Sequence, residues 1–240
     1  RYDYHNAKTI VKAEAVGTDP APMLSGAGRA DAQALKTAYE TGEAGSVPQA
    51  VLTAMQAARD ALSRSADPQL ADLTLDRAYF AEYHESAAQV GSAFLMGYAQ
   101  LQADSANLRA AVRARRMHKD AAFLKSVLVP GGSVPAEEIC QALAQDEPVA
   151  PLFANTALFA AAQAGDESQA GSLTAFERLC DNTLTAYFAK AKSVVFGEQV
   201  VIAYLCALEN EISAARMIIS GLQAGLPADT IRARLRDLYQ

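Results

Sequence analysis

An eleven-residue pattern occurs twice in this 240-residue chain, and it constrains the fold more than any other feature of the sequence. It reads DYHNAKTIVKA from Asp3 to Ala13 and DSANLRAAVRA from Asp104 to Ala114. Both copies fit the spelling Asp-x-x-Asn-x-(Lys/Arg)-x-x-Val-(Lys/Arg)-Ala. Self-similarity at such a distance is typical of repeat architectures, in which each copy builds one supersecondary unit.

A third, partly changed copy lies near the carboxyl end, where EISAARMIISG runs from Glu211 to Gly221. Its Arg216 falls on the position of Arg109, whereas the Asn and the second cation of the pattern are lost. Apolar residues persist at three positions of every copy, and their spacing of three and four places them on one face of a helix. We expect each of these faces to lie in the core. The three trios are Ala7, Ile10 and Val11; Leu108, Ala111 and Val112; and Ala215, Ile218 and Ile219.

Other segments recur in the same order in the two halves of the chain. The pattern Pro-Ala-acid-x-Ile-x-x-x-Leu begins at Pro135 and at Pro227, and Ala-Tyr-Phe-Ala begins at Ala78 and at Ala186. The sequence therefore predicts three related helical repeats, of which the first is represented by its last part. Their boundaries are residues 1–44, 45–145 and 146–240. Since the first repeat lacks its own Ala-Tyr-Phe-Ala segment, we expect the chain to belong to a longer protein.

The composition favours helices that pack closely on one another. Apolar residues make up 51% of the chain and charged residues 20%, which is enough for a buried core. Glycine (14) and proline (9) are few, and no stretch alternates polar and apolar residues with a period of two. We therefore predict an all-α fold.

The net charge and the missing motifs argue against several classes of function. A net charge of −6, without a basic patch interleaved with aromatic residues, argues against nucleic acid as a partner. The chain has no phosphate-binding Gly-x-x-x-x-Gly-Lys-(Ser/Thr) loop and no histidines at metal-ligand spacing. Cys140, Cys180 and Cys206 form no Cys-x-x-Cys pair, so we expect free thiols. We predict a non-catalytic protein without a cofactor, a metal or a small-molecule substrate.

No apolar stretch reaches the roughly 18–20 residues that span a bilayer. The nearest one, residues 193–211, is interrupted by Glu198 and Gln199. The first residues also lack the layout of a signal peptide. We therefore expect any work at a membrane to be done from outside the bilayer.

The two cations of the repeated pattern stand four residues apart, as Lys8 with Lys12 and as Arg109 with Arg113. Like charges at this spacing on a helix repel by roughly 0.2–0.5 kcal/mol. Either solvent or acidic residues of a neighbouring helix must compensate them.

Two interpretations of these charged residues stay open. One is pairing and capping between helices, with Asp104, Glu209 and Glu211 as the acids, or with Asp104 as the N-cap of a helix that starts at Ser105. The other is a surface that docks a partner. The candidate residues are Asp104, Asn107, Arg109, Arg113, Glu209, Glu211 and Arg216.

Two segments resemble a known family, the C subunit of the archaeal and bacterial V/A-type ATPase (ATP synthase), whose eukaryotic relative is the d subunit. The family's last repeat is similar to residues 196–221, which hold Phe-Gly-x-x…Ala-Tyr-Leu…Glu-x-Glu-Ile…Arg. Its middle repeat is similar to Asp104–Arg113, with Asp-x-x-Asn-Leu…Arg, and to the Pro-Gly-Gly at residues 130–132. The resemblance covers essentially the whole chain.

The resemblance implies three helical bundles arranged as a pseudo-threefold funnel, with the first bundle truncated. It also implies a peripheral protein on the cytoplasmic face of the membrane. Such a protein would join the D and F subunits of the central shaft to the proteolipid rotor ring and transmit torque between ATP turnover and proton or sodium transport. The alternatives are an all-helical repeat scaffold or adaptor outside any ATPase, and a helical enzyme.

Overall fold

A computed structural model describes residues 1–168 and 172–238, and in these two ranges it contains helices and no strand. The predicted all-α fold is confirmed. Short 3-10 segments at Ala21–Met23, Ala150–Phe153 and Phe188–Ser193 join some of the helices. The α-helices are α1 (Tyr2–Val16), α2 (Ala32–Thr41), α3 (Gln49–Ser65), α4 (Pro68–Val90), α5 (Ala93–Arg116), α6 (Ala121–Val127), α7 (Ala136–Ala144), α8 (Phe159–Glu167), α9 (Thr174–Tyr187), α10 (Glu198–Gln223) and α11 (Ala228–Arg234).

The chain divides into two compact units, Arg1–Ser86 and Ala87–Gln240. The three repeats predicted from the sequence are defined by similarity rather than by compactness, and their boundaries stay a prediction. Among the described residues, every helix is too short or too polar to cross a membrane.

The core of the first unit forms where α1, α2, α3 and the first half of α4 meet. From α1 the apolar trio Ala7, Ile10 and Val11 is buried, as the pattern predicts. The other helices contribute Leu35, Tyr39, Leu52, Met55, Ala71 and Leu75. The larger of these side chains, fully removed from water, each stabilise a fold by roughly 1.5–3 kcal/mol, so this core positions α1 firmly against its neighbours.

The core of the second unit is built around α5. Its trio Leu108, Ala111 and Val112 is buried, which again confirms the pattern. Gly165 of α8 lies so close to Val112 that a Cβ atom on it would overlap the valine side chain. The other buried side chains of this core include Leu124, Ile139, Phe153, Leu158, Phe176 and Cys180.

Helix α5 is one continuous element of 24 residues. It begins after Ser92, whose hydroxyl accepts a hydrogen bond from the backbone N–H of Leu95 at 3.3 Å. Asp104 therefore lies inside the helix, and the interpretation of Asp104 as an N-cap is wrong. The cap lies about three turns earlier because Ser92 follows Gly91, which ends the preceding segment with a left-handed φ of 72°.

Helix α10 does not bury its apolar trio, so the prediction for the third copy is wrong. Ile218 is 38% exposed, Ile219 is 55% exposed, and Ala215 is exposed as well. Within the described residues α10 is held along a narrow face, where Ala203 and Gly221 are buried. The physical reason is that no described element of the second unit covers the opposite face.

Candidate functional site

Asn6 and Asn107, the asparagines of the two complete patterns, each bind the backbone of a distant loop. Asn6 donates from Nδ2 to the carbonyl oxygen of Ser25 and accepts from the Ser25 N–H, both at 2.8 Å. Asn107 makes the same two bonds with Val129, at 3.0 and 2.8 Å. Both asparagines are buried, so each satisfies a backbone donor and acceptor that water cannot reach.

The aspartates of the pattern hold the same loops five residues further on. Asp3 accepts from the N–H of Ala30 at 3.1 Å and from Arg29 Nε at 2.8 Å. Asp104 accepts from the N–H of Val134 at 3.1 Å and from the hydroxyl of Ser133. Asp and Asn therefore fix the loop before α2 in the first unit and the loop between α6 and α7 in the second unit.

A glycine in each loop makes room for the aspartate. A Cβ on Gly28 would lie 2.5 Å from Oδ1 of Asp3, and a Cβ on Gly132 would collide in the same way with Asp104. Any larger residue would push the carboxylate away from the loop. Gly28 and Gly132 are thus equivalent positions of the two repeats.

The third copy has lost this loop together with the residues that hold it. Pro135 follows Arg113 by 22 positions, whereas Pro227 follows Ser220 by 7. A counterpart of α6 and of the loop before α7 is missing between α10 and α11. The replacement of Asn by Ala214 removes a side chain that would have no loop to bind.

The cations of α1 pair with acids on α4. Lys8 Nζ lies 2.6 Å from Oδ1 of Asp76, and Lys12 Nζ lies 3.1 Å from Oδ2 of Asp72. The four side chains are between 26% and 42% exposed, so these pairs contribute modestly to stability.

The cations of α5 pair in the same way with acids on α9. Arg109 contacts Glu177, with Nε 2.9 Å from Oε2, and also contacts Asp181. Arg113 reaches the other oxygen of Glu177 at 2.6 Å. Two cations four residues apart thus face two acids four residues apart, which removes the like-charge repulsion along each helix.

Arg109 is more deeply buried than Arg113, the other cation that pairs with α9. Its burial opposes the charge, but the carboxylates of Asp181 and Glu177 outweigh this effect and raise the pKa of Arg109. Burial raises the pKa of the neighbouring Cys180 thiol to about 11, against the pull of Arg109. Cys180 is therefore a neutral buried thiol, and Cys140 and Cys206 are free as well.

The family described as ATP synthase (C/AC39) subunit matches residues 1–234. This chain belongs to that family. The match runs through all three copies of the pattern, including the eroded copy on α10. A relative from Enterococcus hirae, described as the C subunit of a V-type sodium ATPase, is 24% identical over 241 residues, which cover 100% of this chain and 73% of the relative. No solved structure matches the chain significantly.

The structure separates the seven candidate residues of this family member into two groups. Asp104, Asn107, Arg109 and Arg113 lie together on α5 and bind elements of the same compact unit. Glu209, Glu211 and Arg216 lie on exposed turns of α10. The two groups do not form a common site with one another among the described contacts.

The acids that meet the cations are residues that the sequence analysis did not single out. They are Asp72 and Asp76 on α4, and Glu177 and Asp181 on α9. Their spacing of four, equal to that of the cations, was the available signal. The Ala-Tyr-Phe-Ala segment begins two residues after Asp76 but five residues after Asp181. The two copies of this segment are therefore not at structurally equivalent positions.

A pocket of about 190 Å³ in the first unit holds ionisable side chains, including Glu82 and Arg29. Glu82 accepts hydrogen bonds from Tyr4 and from Arg29, both at 2.8 Å. These groups therefore neutralise each other. In the described part of the chain no group of three or more His, Cys, Asp or Glu residues is placed to hold a metal ion.

Proposed function

We propose that this chain is a non-catalytic central-rotor component of a V/A-type ATPase. In this role it joins the D and F subunits of the central shaft to the proteolipid rotor ring and transmits torque between ATP turnover and ion transport. The observation that carries the proposal is the family match over residues 1–234, which takes in every helix that the structure describes. The name of the Enterococcus relative, the C subunit of a V-type sodium ATPase, supports it.

The internal bracing of the two compact units suits a part that bears torque. A motif helix, meaning α1 or α5, is tied to an acidic helix by a ladder of ion pairs and to a loop by buried Asp and Asn side chains. These ties join residues far apart in sequence, such as Arg109 with Asp181 and Asn107 with Val129. Together with a close-packed core of low compressibility, they oppose sliding of one helix along another.

The charged residues of the pattern serve this bracing rather than a reaction. Arg109 and Arg113 neutralise Glu177, and Asp104 saturates backbone and hydroxyl donors of one loop. The proposal therefore assigns no residue to catalysis, to a nucleotide or to a cofactor. It places the protein at the cytoplasmic face of the membrane, as a peripheral component bound through other subunits.

Co-purification tests this role. The full-length protein is immobilised and exposed separately to purified D–F shaft and to the detergent-solubilised rotor ring. We expect both to be retained, and a complex lacking the protein to hydrolyse ATP without driving ion transport. Retention of neither component by folded protein would contradict the proposal and would favour a helical scaffold outside an ATPase.

A matched pair of variants controls for folding in this experiment. Arg113→Ala removes an ion pair inside the second unit, while Arg64→Ala removes an exposed cation at the end of α3. Both proteins should stay folded by circular dichroism and should retain shaft and ring equally, because the proposal gives Arg113 a bracing role within the protein. A selective loss of partner binding in Arg113→Ala would show instead that this residue contacts a partner.

A further inference from the structure

Helix α10 carries a row of apolar residues on the side that faces away from its own unit. Six of them follow one another at alternating spacings of three and four, the heptad spacing by which one helix packs along another in a coiled coil. Five of the side chains are between 42% and 63% exposed, and the alanine among them is exposed as well. This α10 seam consists of Leu205, Leu208, Ile212, Ala215, Ile219 and Leu222.

The opposite side of α10 holds the helix against its own unit. Asn210 donates from Nδ2 to the hydroxyl of Thr185 on α9, at 3.0 Å. A Cβ on Gly221 would lie 2.8 Å from Cγ1 of Ile231 on α11, and Ala203 on the same side is 1% exposed. The described contacts of α10 thus leave the seam accessible along its length.

Three exposed charged side chains border the seam. Glu209 and Arg216 lie along one edge, seven residues apart, and Glu211 lies along the other edge. When two copies of a helix pack antiparallel about a two-fold axis, each edge faces the same edge of the other copy. An edge that carries an acid and a base two helical turns apart is therefore complementary to a second copy of itself.

The register that joins these charges also aligns the apolar residues. With Glu209 of each copy facing Arg216 of the other, every residue of the seam meets a seam residue of the second copy. Ala215, the smallest of them, then packs on Ile212, whereas a parallel pair would set Ala215 against itself and leave a gap. The layers of the antiparallel pair, each formed twice, are Leu205 with Leu222, Leu208 with Ile219, and Ile212 with Ala215.

We propose that α10 forms an antiparallel helix pair with α10 of a second copy of this chain. The seam and two ion pairs between Glu209 and Arg216 hold the pair together. A single helix pair of this length lies at the low end of interface sizes, below about 1,200 Å², so the association is weak and depends on protein concentration. The proposal concerns the free protein and does not rest on its role in an ATPase.

Sedimentation equilibrium of the 240-residue chain over a wide range of concentration tests the pair. We expect the average mass to rise from one copy to two. Ile212→Asp, at the centre of the seam, should keep the chain monomeric, because the pair would bury its charge. The matched control Met117→Asp, at a residue that is 60% exposed at the end of α5, should dimerise like the unaltered chain. A monomer at every concentration, or a dimer that Ile212→Asp leaves intact, would overturn the proposal.

Exchange of the bordering charges tests the direction of the pair. Arg216→Glu and Glu209→Arg should each weaken self-association about tenfold, because each sets like charges against one another at both ion-pair positions. Mixed together, these two variants should form a heterodimer, since opposite charges then meet at both positions. The control Glu211→Arg changes the other edge and should associate like the unaltered chain. If Glu211→Arg dissociated the dimer, or if the two mixed variants failed to bind one another, the antiparallel pair would be refuted.

Discussion

Helices α5 and α10 carry the same repeated pattern and end in opposite environments. In α5 the residues Leu108 and Val112 are 0% and 4% exposed, whereas in α10 Ile219, at the position of Val112, is 55% exposed. The difference lies outside the helices, because α5 has both an acidic partner helix and a bound loop. An apolar periodicity thus specifies which face of a helix is available for packing, and the neighbouring elements decide whether that face is buried.

Truncation of the two apolar faces gives the largest expected contrast. Leu108→Ala should destabilise the chain by about 2–5 kcal/mol, because it leaves a cavity in the core of the second unit. Ile219→Ala should change the free energy of unfolding by less than about 0.5 kcal/mol, since its side chain is already half in water. Urea denaturation of the 240-residue chain, followed by circular dichroism, measures both.

Equal losses for the two substitutions would show that α10 is packed in solution as tightly as α5. Such a result would remove the contrast between the two helices.

The sequence was sufficient to predict the fold class and to predict that each copy of the pattern forms a helix. The trios on α1 and α5 were placed correctly in the core because a spacing of three and four has one geometric meaning. The burial of the third trio was not predictable in this way. Ile218 and Ile219 have the right spacing, but their burial depends on a neighbouring element, and the described part of the second unit supplies none.

The partners of the charged residues were harder to predict. Asp104 and Asn107 bind backbone atoms, and the two loops they hold share little sequence apart from Gly28 and Gly132. The sequence points to acids at the helix junctions, with Glu209 and Glu211 among them, as partners of the cations. They lie on α4 and α9 instead, because cations on one helix are best compensated by acids on a neighbouring helix of matching spacing.

The asparagine of the pattern provides the next contrast. Asn107→Ala should cost about 2–4 kcal/mol, because it leaves the buried N–H and carbonyl of Val129 without partners. The reverse change in the third copy, Ala214→Asn, should be nearly neutral, as α10 has no loop to bind. Comparison of the urea midpoints of the two variants with that of the unaltered chain checks both values. A neutral Asn107→Ala would mean that water replaces the side chain at the loop.

The glycine that accommodates Asp104 should tolerate substitution less well than a glycine with open surroundings. Gly132→Ala forces its Cβ against the carboxylate and should destabilise the chain by about 1–3 kcal/mol. Gly26→Ala is the matched control, because nothing lies within 4 Å of a Cβ at that position. In a double-mutant cycle with Asp104→Ala the two costs should not add, since both variants disturb the same loop. Additive costs would show that Gly132 acts through a different contact.

Acid titration gives the smallest expected contrast, between Asp3 and its uncharged variant. Burial disfavours the charge on Asp3, but hydrogen bonds from Arg29 and from the N–H of Ala30 outweigh it and lower its pKa. A carboxylate with a lowered pKa stabilises the fold above its unfolded pKa of about 4, and this contribution is lost as the pH falls through the folded pKa. Asp3→Asn should therefore flatten the fall in stability below about pH 5 by at most about 1.4 kcal/mol per pH unit. Urea midpoints measured across this range decide the matter, and an unchanged slope in Asp3→Asn would show that the carboxylate of Asp3 does not bind the loop as a charged group.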